Sequence, residues 1–299
     1  MVRPRALLTG HTGFTGRYVA RELEQAGYQV IGIASQASDD APGQTIEADL
    51  LDRDAVQRAV ADADADVVLH LAAIAFVAHG DVDEMYRVNV VGTRNLLEAL
   101  AAAKKRPERV VLASSANVYG NADVEPITED TPPAPANDYA VSKLAMEYMA
   151  SLWMDKLPIT LTRPFNYTGV GQNEKFLLPK IVNHFRRGER VIELGNIDIA
   201  RDFQDVRFVA RTYRQLLGAR SCGNGNVVNI CSGVAHSLMD IVHILEKIAG
   251  YQIKIQVNPA FVRANDVLRL TGCNKKLEQL IGPLDVVPME QTLSWMYAA

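Results

Sequence analysis

Residues Ala6–Gly16 of this 299-residue chain read Ala-Leu-Leu-Thr-Gly-His-Thr-Gly-Phe-Thr-Gly. A short apolar run leads into glycines spaced G-x-x-G-x-x-G, and a helical pattern follows at Arg17–Gln25. A strand, a glycine loop and a helix in this order favour a dinucleotide-binding loop over a plain turn. We expect Gly10 to permit the tight turn, Gly13 to admit a pyrophosphate and Gly16 to allow close helix packing. The helix N-terminus would then face the phosphates.

The end of the second strand, Gln29–Ala34, bears on which dinucleotide is bound. An acidic residue there would bond the ribose 2′-hydroxyl of NAD, but the chain continues with Ser35-Gln36. No carboxylate at this point repels a 2′-phosphate, so the sequence favours NADP(H), with Arg17 as a candidate phosphate partner. NAD(H) stays possible, because Asp39-Asp40 lie nearby.

Beyond residue 40 the pattern continues to alternate between strand and helix. The runs Val67–Ala73 and Val110–Ala113 are almost wholly apolar, which is typical of strands buried in a parallel sheet. The alternation predicts an α/β fold with a doubly wound parallel sheet of the Rossmann type. We expect residues 1–165 to form a dinucleotide-binding domain, to which about 203–232 return. Residues 166–299 would form mainly a smaller C-terminal substrate-binding lobe.

Polar residues at strand ends are candidates for ligand contacts. Asp49 follows the third strand and could accept a hydrogen bond from an adenine amino group, or simply cap the helix Arg53–Ala61. Ser115 follows the strand Val110–Ala113. Because sites in parallel sheets lie beyond the carboxyl ends of the strands, Ser115 could bond a substrate carbonyl or hydroxyl. Its alternative is an ordinary turn serine.

Tyr139 and Lys143 lie four residues apart in Asn137–Glu147, a stretch rich in helix formers. Residues at this spacing share a helix face. A lysine ammonium beside a phenol favours the phenolate, so we expect the pKa of Tyr139 to fall below about 10. Tyr139 would then exchange a proton near neutral pH. Taken alone, the spacing also fits an ordinary amphipathic helix.

The composition narrows the classes of function. With a formal net charge of −4, nothing in the chain suggests a nucleic-acid partner or an anionic membrane surface. The three cysteines, Cys222, Cys231 and Cys273, have no metal-ligand spacing and are odd in number, which indicates no metal site and a reduced, cytoplasmic protein. The apolar stretch near the N-terminus ends at Thr9, too early for a signal sequence or a membrane span.

The motifs, in their order along the chain, resemble the extended branch of the short-chain dehydrogenase/reductase superfamily. The matching pieces are Thr9–Gly16, Asp49-Leu50, His70–Ala73, Asn89–Thr93, Ser114–Gly120 and Tyr139–Lys143. The resemblance implies a catalytic set of Ser115, Tyr139 and Lys143, in which Lys143 also holds the nicotinamide ribose. It further implies cofactor contacts from Gly10, Gly13, Phe14, Thr15, Gly16, Arg17, Ser35, Asp49, Leu50, Leu71, Ala72, Ala73, Tyr139, Lys143, Pro164 and Phe165.

The second half resembles members of this branch that modify nucleotide sugars. Arg163–Gln172 and Leu194–Phe203 look most like GDP-mannose 4,6-dehydratases and GDP-4-keto-6-deoxy-mannose reductases. The chain departs from the family in lacking an arginine after Ala34 and in having Ala264 where proline is usual. The substrate contacts that the resemblance implies are Ser115, Asn117, Asn166, Arg201, Arg263 and Asp266. From the residues alone, the two arginines suit either bidentate phosphate contacts or solvated ion pairs.

Asn117 separates the possible reactions. The family's 4,6-dehydratases carry a glutamate two residues after the catalytic serine or threonine, and an amide cannot take a proton at neutral pH. We therefore expect a reductase that transfers hydride from NADPH to C4 of a GDP-4-keto-6-deoxy-hexose, giving a GDP-6-deoxyhexose such as GDP-D-rhamnose. The alternatives are an NAD-dependent nucleotide-sugar epimerase or a 4,6-dehydratase. A non-catalytic NADP-binding regulator would not need the intact catalytic set.

The family resemblance also implies a homodimer through the helices at Asn89–Lys104 and Tyr139–Met154. The second helix has more apolar surface than one buried face requires. The residues that supply it are Met146, Met149, Leu152 and Trp153.

Overall fold

The computed structural model describes residues 3–36, 41–75, 81–219, 225–261 and 267–299. Its strands are β1 (Arg5–Thr9), β2 (Gln29–Ala34), β3 (Gln44–Glu47), β4 (Val67–His70), β5 (Arg109–Ala113), β6 (Ile159–Pro164), β7 (Asn166–Thr168), β8 (Val191–Leu194), β9 (Ala200–Arg201), β10 (Phe203–Asp205), β11 (Asn226–Ile230), β12 (His236–Ser237), β13 (Lys254–Val257) and β14 (Arg269–Leu270). Its α-helices are α1 (Phe14–Gln25), α2 (Arg53–Ala63), α3 (Val82–Tyr86), α4 (Thr93–Ala102), α5 (Asp138–Ser151), α6 (Leu177–Arg186), α7 (Val206–Gly218), α8 (Leu238–Ala249), α9 (Lys275–Ile281) and α10 (Met289–Ala298). A π-helical turn spans Arg87–Gly92, and 3₁₀ turns span Ala116–Tyr119 and Pro259–Phe261.

The main sheet is parallel and has the strand order β11-β6-β5-β4-β1-β2-β3. The chain runs from β1 outward to β3, crosses back, and then runs from β4 outward in the other direction. The order therefore reverses between β1 and β4, which is the switch point of a doubly wound sheet. The predicted Rossmann-type α/β fold is confirmed.

Helices cover both faces of the sheet, because its central strands carry apolar side chains on both sides. In β1, Leu7 packs into a cluster with residues of α2, α4 and α5, whereas the next residue, Leu8, packs with residues of α1 and α7. Successive side chains of a strand point to opposite faces, so each face needs its own helical layer. Burying one such leucine contributes roughly 1.5–3 kcal/mol.

Of the strands after β6, β11 joins the main sheet beside β6, and the others form small sheets. β7 pairs with β10, β8 pairs with β13, and β9 lies between β12 and β14. A separate apolar cluster joins α6, α8 and α10 through residues such as Leu178, Ile241 and Leu293. The division into two domains at residue 165 stays a prediction. None of the helices in the described ranges is long and apolar enough to cross a membrane.

The helix expected at Asn89–Lys104 has a different first turn. Residues Arg87–Gly92 are π-helical, and the regular helix α4 begins only at Thr93. The carboxamide of Asn89 accepts a hydrogen bond from the Ile74 backbone N–H at 2.9 Å and donates to the Ile74 carbonyl at 3.1 Å. These bonds hold the turn against the loop after β4. Hydrophobic periodicity carries no signal for such a side-chain contact.

Candidate active site

A cavity of about 550 Å³ lies at the carboxyl ends of the central strands, where the strand order reverses. It is the place at which a doubly wound sheet binds its ligands. The predicted site residues that line this cavity are Gly10, Gly13, Phe14, Thr15, Gly16, Leu71, Ala73, Ser115, Asn117, Tyr139, Lys143, Pro164, Phe165 and Asn166. The fold thus brings together segments of the chain that are up to about 150 residues apart.

The glycine loop is shaped as a cradle on one side of the cavity. Gly10 has a φ of +70°, and a Cβ on Gly16 would lie only 2.1 Å from the Gly10 carbonyl oxygen. Neither position therefore accepts a side chain. Helix α1 follows Gly13 without a side-chain cap, so N–H groups of its first turn have no carbonyl partner within the helix. Such N–H groups fit the pyrophosphate of a dinucleotide.

Ser115, Tyr139 and Lys143 come together in the wall of the cavity that the glycine loop also lines. Tyr139 is hydrogen-bonded to Ser115, whose Oγ also accepts a bond from the Asn117 backbone N–H at 3.2 Å. Lys143 follows Tyr139 by one turn of α5, and only 3% of its surface is exposed. This arrangement can hold a carbonyl or hydroxyl oxygen between a serine and a phenol.

The predicted direction of the Tyr139 pKa shift is wrong. Burial raises the pKa of Tyr139, nearby Tyr167 raises it further, and the hydrogen bond with Ser115 only partly opposes the shift. Burial also lowers the pKa of Lys143 to about 8, while Glu147 opposes that shift. Desolvation disfavours both charged forms, and it could not be judged from helical spacing. Tyr139 is accordingly a neutral phenol, able to donate a proton.

A chain of buried hydrogen bonds supports this side of the cavity and was not predicted. Thr9 Oγ1 lies 2.6 Å from His70 Nδ1, and His70 Nε2 lies 2.8 Å from Thr93 Oγ1. Thr93 donates its own hydroxyl proton to the Asn89 carbonyl, so it accepts from His70, which places the imidazole proton on Nε2. Burial, and then the charge of Lys143, lower the pKa of His70 to about 3, so its ring is neutral.

Asn89 extends this support to α5, which carries Tyr139 and Lys143. Its Nδ2 donates to Ser142 Oγ at 3.0 Å, and Ser142 donates to the Tyr139 carbonyl. The resemblance included Asn89 in a motif but gave it no role. The motif therefore marked Asn89 in the sequence, but its contact with Ser142 could not be predicted from it.

Five of the predicted cofactor residues do not line the cavity: Arg17, Ser35, Asp49, Leu50 and Ala72. Arg17 Nε donates to the Thr12 carbonyl at 2.9 Å, which fixes its side chain beside the glycine loop. Asp49 is exposed and accepts from the Leu51 N–H at 2.9 Å. The alternative interpretation of Asp49 as a helix cap is wrong, because Asp52 caps α2 through the Ala55 N–H.

The predicted substrate residues are placed at different depths. Asn166 begins β7 at the cavity wall, and among the described residues its buried Oδ1 has no hydrogen-bond partner. Arg201 lies on β9 outside the cavity lining, where its Nη2 donates to the Val267 carbonyl at 2.8 Å. Arg263 and Asp266 lie outside the described residues.

Tyr167 is a cavity residue that sequence analysis missed. Its hydroxyl lies 2.9 Å from Thr15 Oγ1, and its ring stacks on Phe14 with centroids 6.3 Å apart. Gln172 and Phe176 also line the cavity on this side. Tyr167 follows Asn166 directly, so the signal lay in the quoted motif, but its contact is with a residue 152 positions earlier.

A match to a protein-family model identifies the family of this chain. Residues 6–231 match the model of the NAD dependent epimerase/dehydratase family. The chain belongs to this family. Together with its named relatives, this membership makes the protein an NAD(P)-dependent enzyme of nucleotide sugars, and it agrees with the predicted extended short-chain dehydrogenase/reductase branch.

Curated relatives of this family member cover most of its length. It is 32% identical over 281 residues to the GDP-6-deoxy-D-talose 4-dehydrogenase of Aggregatibacter actinomycetemcomitans, covering 93% of this chain and 91% of the relative. It is 33% identical over 239 residues to the GDP-6-deoxy-D-mannose reductase of Pseudomonas aeruginosa, covering 76% and 78%. It is also 26% identical to the UDP-glucose 4-epimerase of Corynebacterium glutamicum, covering 93% and 90%.

Solved structures share the whole architecture. A protein from Burkholderia cenocepacia J2315 is 48% identical, with a TM-score of 0.93 over the full length of both chains. MoeE5 in complex with UDP-glucuronic acid and NAD is 28% identical, with a TM-score of 0.88 over 98% of both chains. RMD from Pseudomonas aeruginosa complexed with NADPH is 28% identical, with a TM-score of 0.85 over 99% of this chain and 97% of that one.

Proposed function

We propose that this family member reduces the C4 ketone of a GDP-linked 4-keto-6-deoxyhexose, with NADPH as reductant. One observation carries the choice of reaction. Among the described residues that line the cavity, the ionisable side chains are those of Tyr139, Lys143 and Tyr167. A 4,6-dehydratase needs a further acid/base group for the C5 proton, and Asn117 stands at that place as an amide. Reduction of a ketone needs only one proton donor.

The roles of the catalytic residues follow from their positions. Ser115 bonds the ketone oxygen and holds it within reach of the Tyr139 hydroxyl. Tyr139 donates its proton to that oxygen as negative charge develops on it, and its raised pKa keeps it protonated for this purpose. Lys143 supplies positive charge beside the phenolate that is left, and it holds the nicotinamide ribose.

The cofactor proposal rests on the fit of the glycine loop. The cradle of Gly10, Gly13 and Gly16 and the uncapped start of α1 suit the pyrophosphate. The nicotinamide ring, when bound, supplies the hydride. NADPH is favoured over NADH because no carboxylate follows β2 before residue 37, and Ser35 is exposed there.

The names of two relatives support a GDP-linked 6-deoxyhexose as the sugar class. One name specifies oxidoreduction at C4 of a D-talose sugar and the other reduction to a D-mannose sugar. Talose and mannose differ only in their configuration at C4. The two products therefore correspond to hydride delivery to opposite faces of the same ketone, and we propose this ketone as the substrate.

Incubation of the purified protein with NADPH and GDP-4-keto-6-deoxy-mannose tests the proposal. We expect loss of NADPH absorbance and formation of a GDP-6-deoxyhexose, whose C4 configuration nuclear magnetic resonance assigns as GDP-D-rhamnose or GDP-6-deoxy-D-talose. The UDP- and dTDP-linked 4-keto-6-deoxy sugars serve as controls for the base. Dehydration of GDP-mannose by the protein, without reduction of the ketone, would contradict the proposal.

A nucleotide-sugar 4-epimerase is the second candidate, because relatives with that name span most of the chain. An epimerase retains its dinucleotide between two half-reactions, whereas a reductase exchanges it in each turnover. Denaturation of the protein as purified, followed by chromatography of the supernatant, separates the two. Stoichiometric release of NAD together with interconversion of UDP-glucose and UDP-galactose would favour the epimerase.

A further inference from the structure

The catalytic face of α5 continues one turn beyond Lys143. Tyr139, Lys143 and Glu147 are spaced four residues apart, so their side chains follow one another along one side of the helix. Lys143 is 3% exposed and Glu147 is 5% exposed. Charged side chains are rarely buried so deeply unless they are paired, so the partner of Glu147 is informative.

That partner is Arg163 on β6. Arg163 Nε donates to Glu147 Oε1 at 2.9 Å and Nη2 donates to Oε2 at 2.6 Å, which is a bidentate contact between two buried groups. The guanidinium also lies 4.8 Å from the centroid of the Tyr119 ring. Both carboxylate oxygens are thereby held in one orientation, and a negative charge is fixed a single helical turn from Lys143.

The groups around Lys143 show why the charge of Glu147 is important. On its own helix Lys143 faces the phenol of Tyr139 and the carboxylate of Glu147, and from β4 it faces the neutral ring of His70. Burial lowers the pKa of Lys143 to about 8, and Glu147 is the group that opposes this shift. Without the carboxylate, the ammonium would be desolvated with no anion beside it among the described residues.

We propose that Glu147, oriented by Arg163, is a positioning residue that keeps Lys143 charged on the face of α5 that also carries Tyr139. Neither residue lines the cavity, so both act through Lys143 rather than on a ligand. The inference deepens the proposed function, but only its kinetic consequence rests on that function. The charge state of Lys143 is a property of the protein and can be measured without any substrate.

A purely structural role, in which the ion pair ties α5 to β6, predicts a different result. Glu147→Gln leaves a buried arginine without its carboxylate, so it is expected to destabilise the protein. The double variant Glu147→Leu with Arg163→Met removes both charges and keeps apolar volume, which is often neutral for stability. If the pair only ties two elements together, the double variant should leave the titration of Lys143 unchanged.

Carbamoylation by cyanate reports that titration, because only the neutral amine reacts. Lys143 lines the cavity, which gives this small reagent a route to it. The extent of modification of the peptide that contains Lys143, measured by mass spectrometry across pH, gives the titration midpoint. We expect a midpoint near 8 in the wild-type protein. It should fall by about one pH unit or more in Glu147→Gln and in the double variant, since a nearby opposite charge shifts a pKa by that amount.

Two controls complete the experiment. Glu147→Asp keeps the negative charge, so its Lys143 midpoint should stay close to that of the wild-type protein. Glu98→Gln removes the carboxylate of a surface ion pair with Arg53 and Arg94, away from the cavity, and should leave the Lys143 midpoint in place. An unchanged midpoint in a folded double variant would overturn the proposal.

The kinetic consequence is tested separately. In the reductase assay the alkaline limb of the kcat profile should move to lower pH by the same amount as the cyanate midpoint, with little change in KM at pH 6. If the midpoint moves but no ketone is reduced by the wild-type protein, then the positioning role stands and the proposed reaction fails. If the midpoint stays fixed while the wild-type protein reduces the ketone normally, then the positioning role fails and the proposed reaction stands.

Discussion

Thr15 Oγ1 and the hydroxyl of Tyr167 lie 2.9 Å apart, so the helix that begins at the glycine loop is bonded directly to the segment after β6. The contact is reinforced by stacking of the Tyr167 ring on Phe14 at an interplanar angle of 12°. A second bridge nearby runs from the Tyr18 hydroxyl to the Val170 carbonyl at 2.7 Å. The loop that would hold the dinucleotide is therefore positioned by residues that follow β6.

Tyr167→Phe should weaken dinucleotide binding without unfolding the protein. The substitution removes only the hydroxyl that fixes Thr15 and keeps the ring that stacks on Phe14. The loss of one hydrogen bond of about 1 kcal/mol corresponds to a Kd for NADPH raised about fivefold. Fluorescence titration with NADPH measures this change.

Tyr251→Phe is the matched control for that variant. Its hydroxyl donates to the Phe185 carbonyl at 2.7 Å, outside the cavity lining, so its loss should affect stability alone. An equal rise in the Kd for NADPH in both variants would show that the effect is not carried by the contact with Thr15.

Tyr139→Phe should abolish ketone reduction while leaving dinucleotide binding intact. The variant keeps the ring on α5 and removes the proton donor, whose loss costs about 10²–10⁴ in turnover. Lys143→Ala should reduce both turnover and NADPH affinity, because in the proposed mechanism Lys143 stabilises the phenolate and holds the nicotinamide ribose. Steady-state NADPH oxidation and NADPH titration distinguish the two patterns. Near wild-type reduction by Tyr139→Phe would exclude Tyr139 as the donor.

The features that could be predicted from the sequence are those whose structural requirement is local. The strand, the glycines and α1 are contiguous, so the requirement for glycine at Gly10 and Gly16 could be expected from their spacing. The juxtaposition of Tyr139 and Lys143 follows in the same way from the geometry of one helix. The parallel sheet could be predicted for a similar reason, because buried strands and helices alternate along the chain.

Properties that depend on tertiary packing could not be predicted. The direction of the Tyr139 pKa shift depends on burial and on the electrostatic effect of Tyr167, and so the expectation from the i, i+4 lysine was wrong. The bond of Thr15 with Tyr167 joins residues 152 positions apart, and the π-helical turn depends on the contact of Asn89 with Ile74. Sequence periodicity contains none of these distances.

Leu152→Asp should prevent association of the protein with a second copy. Val141, Tyr148 and Leu152 form an exposed stripe along α5 and its end, and Tyr148 and Leu152 are 66% and 74% exposed. Of the residues expected to supply the apolar surface, Leu152 belongs to this stripe, whereas Met146 is buried and Met149 and Trp153 pack against the core. We propose that the stripe contributes to a homodimer interface, since so much exposed apolar surface on one helix is unusual for a monomer. Sedimentation at micromolar concentration should give a dimer for wild type and a monomer for Leu152→Asp.

The control for this prediction is Val124→Asp, because Val124 is an exposed valine that lies outside α5, in the segment between Tyr119 and Asp138. It should sediment as the wild-type protein does. A monomeric wild-type protein would contradict the dimer directly, and dissociation caused by both substitutions would indicate a general loss of structure.

Lys143→Met should stabilise the protein at neutral pH while removing its activity. The pKa of Lys143 is about 8 in the folded protein against an ordinary value of 10.5, so the unfolded chain binds more protons between these values. Wild-type stability therefore rises with pH through that window, and below it the buried ammonium costs on the order of 3 kcal/mol. The variant lacks this cost, so its advantage in the free energy of unfolding should be largest near pH 7 and should shrink toward pH 10. Urea unfolding of both proteins across that range measures the difference, and an advantage that does not change with pH would contradict the lowered pKa.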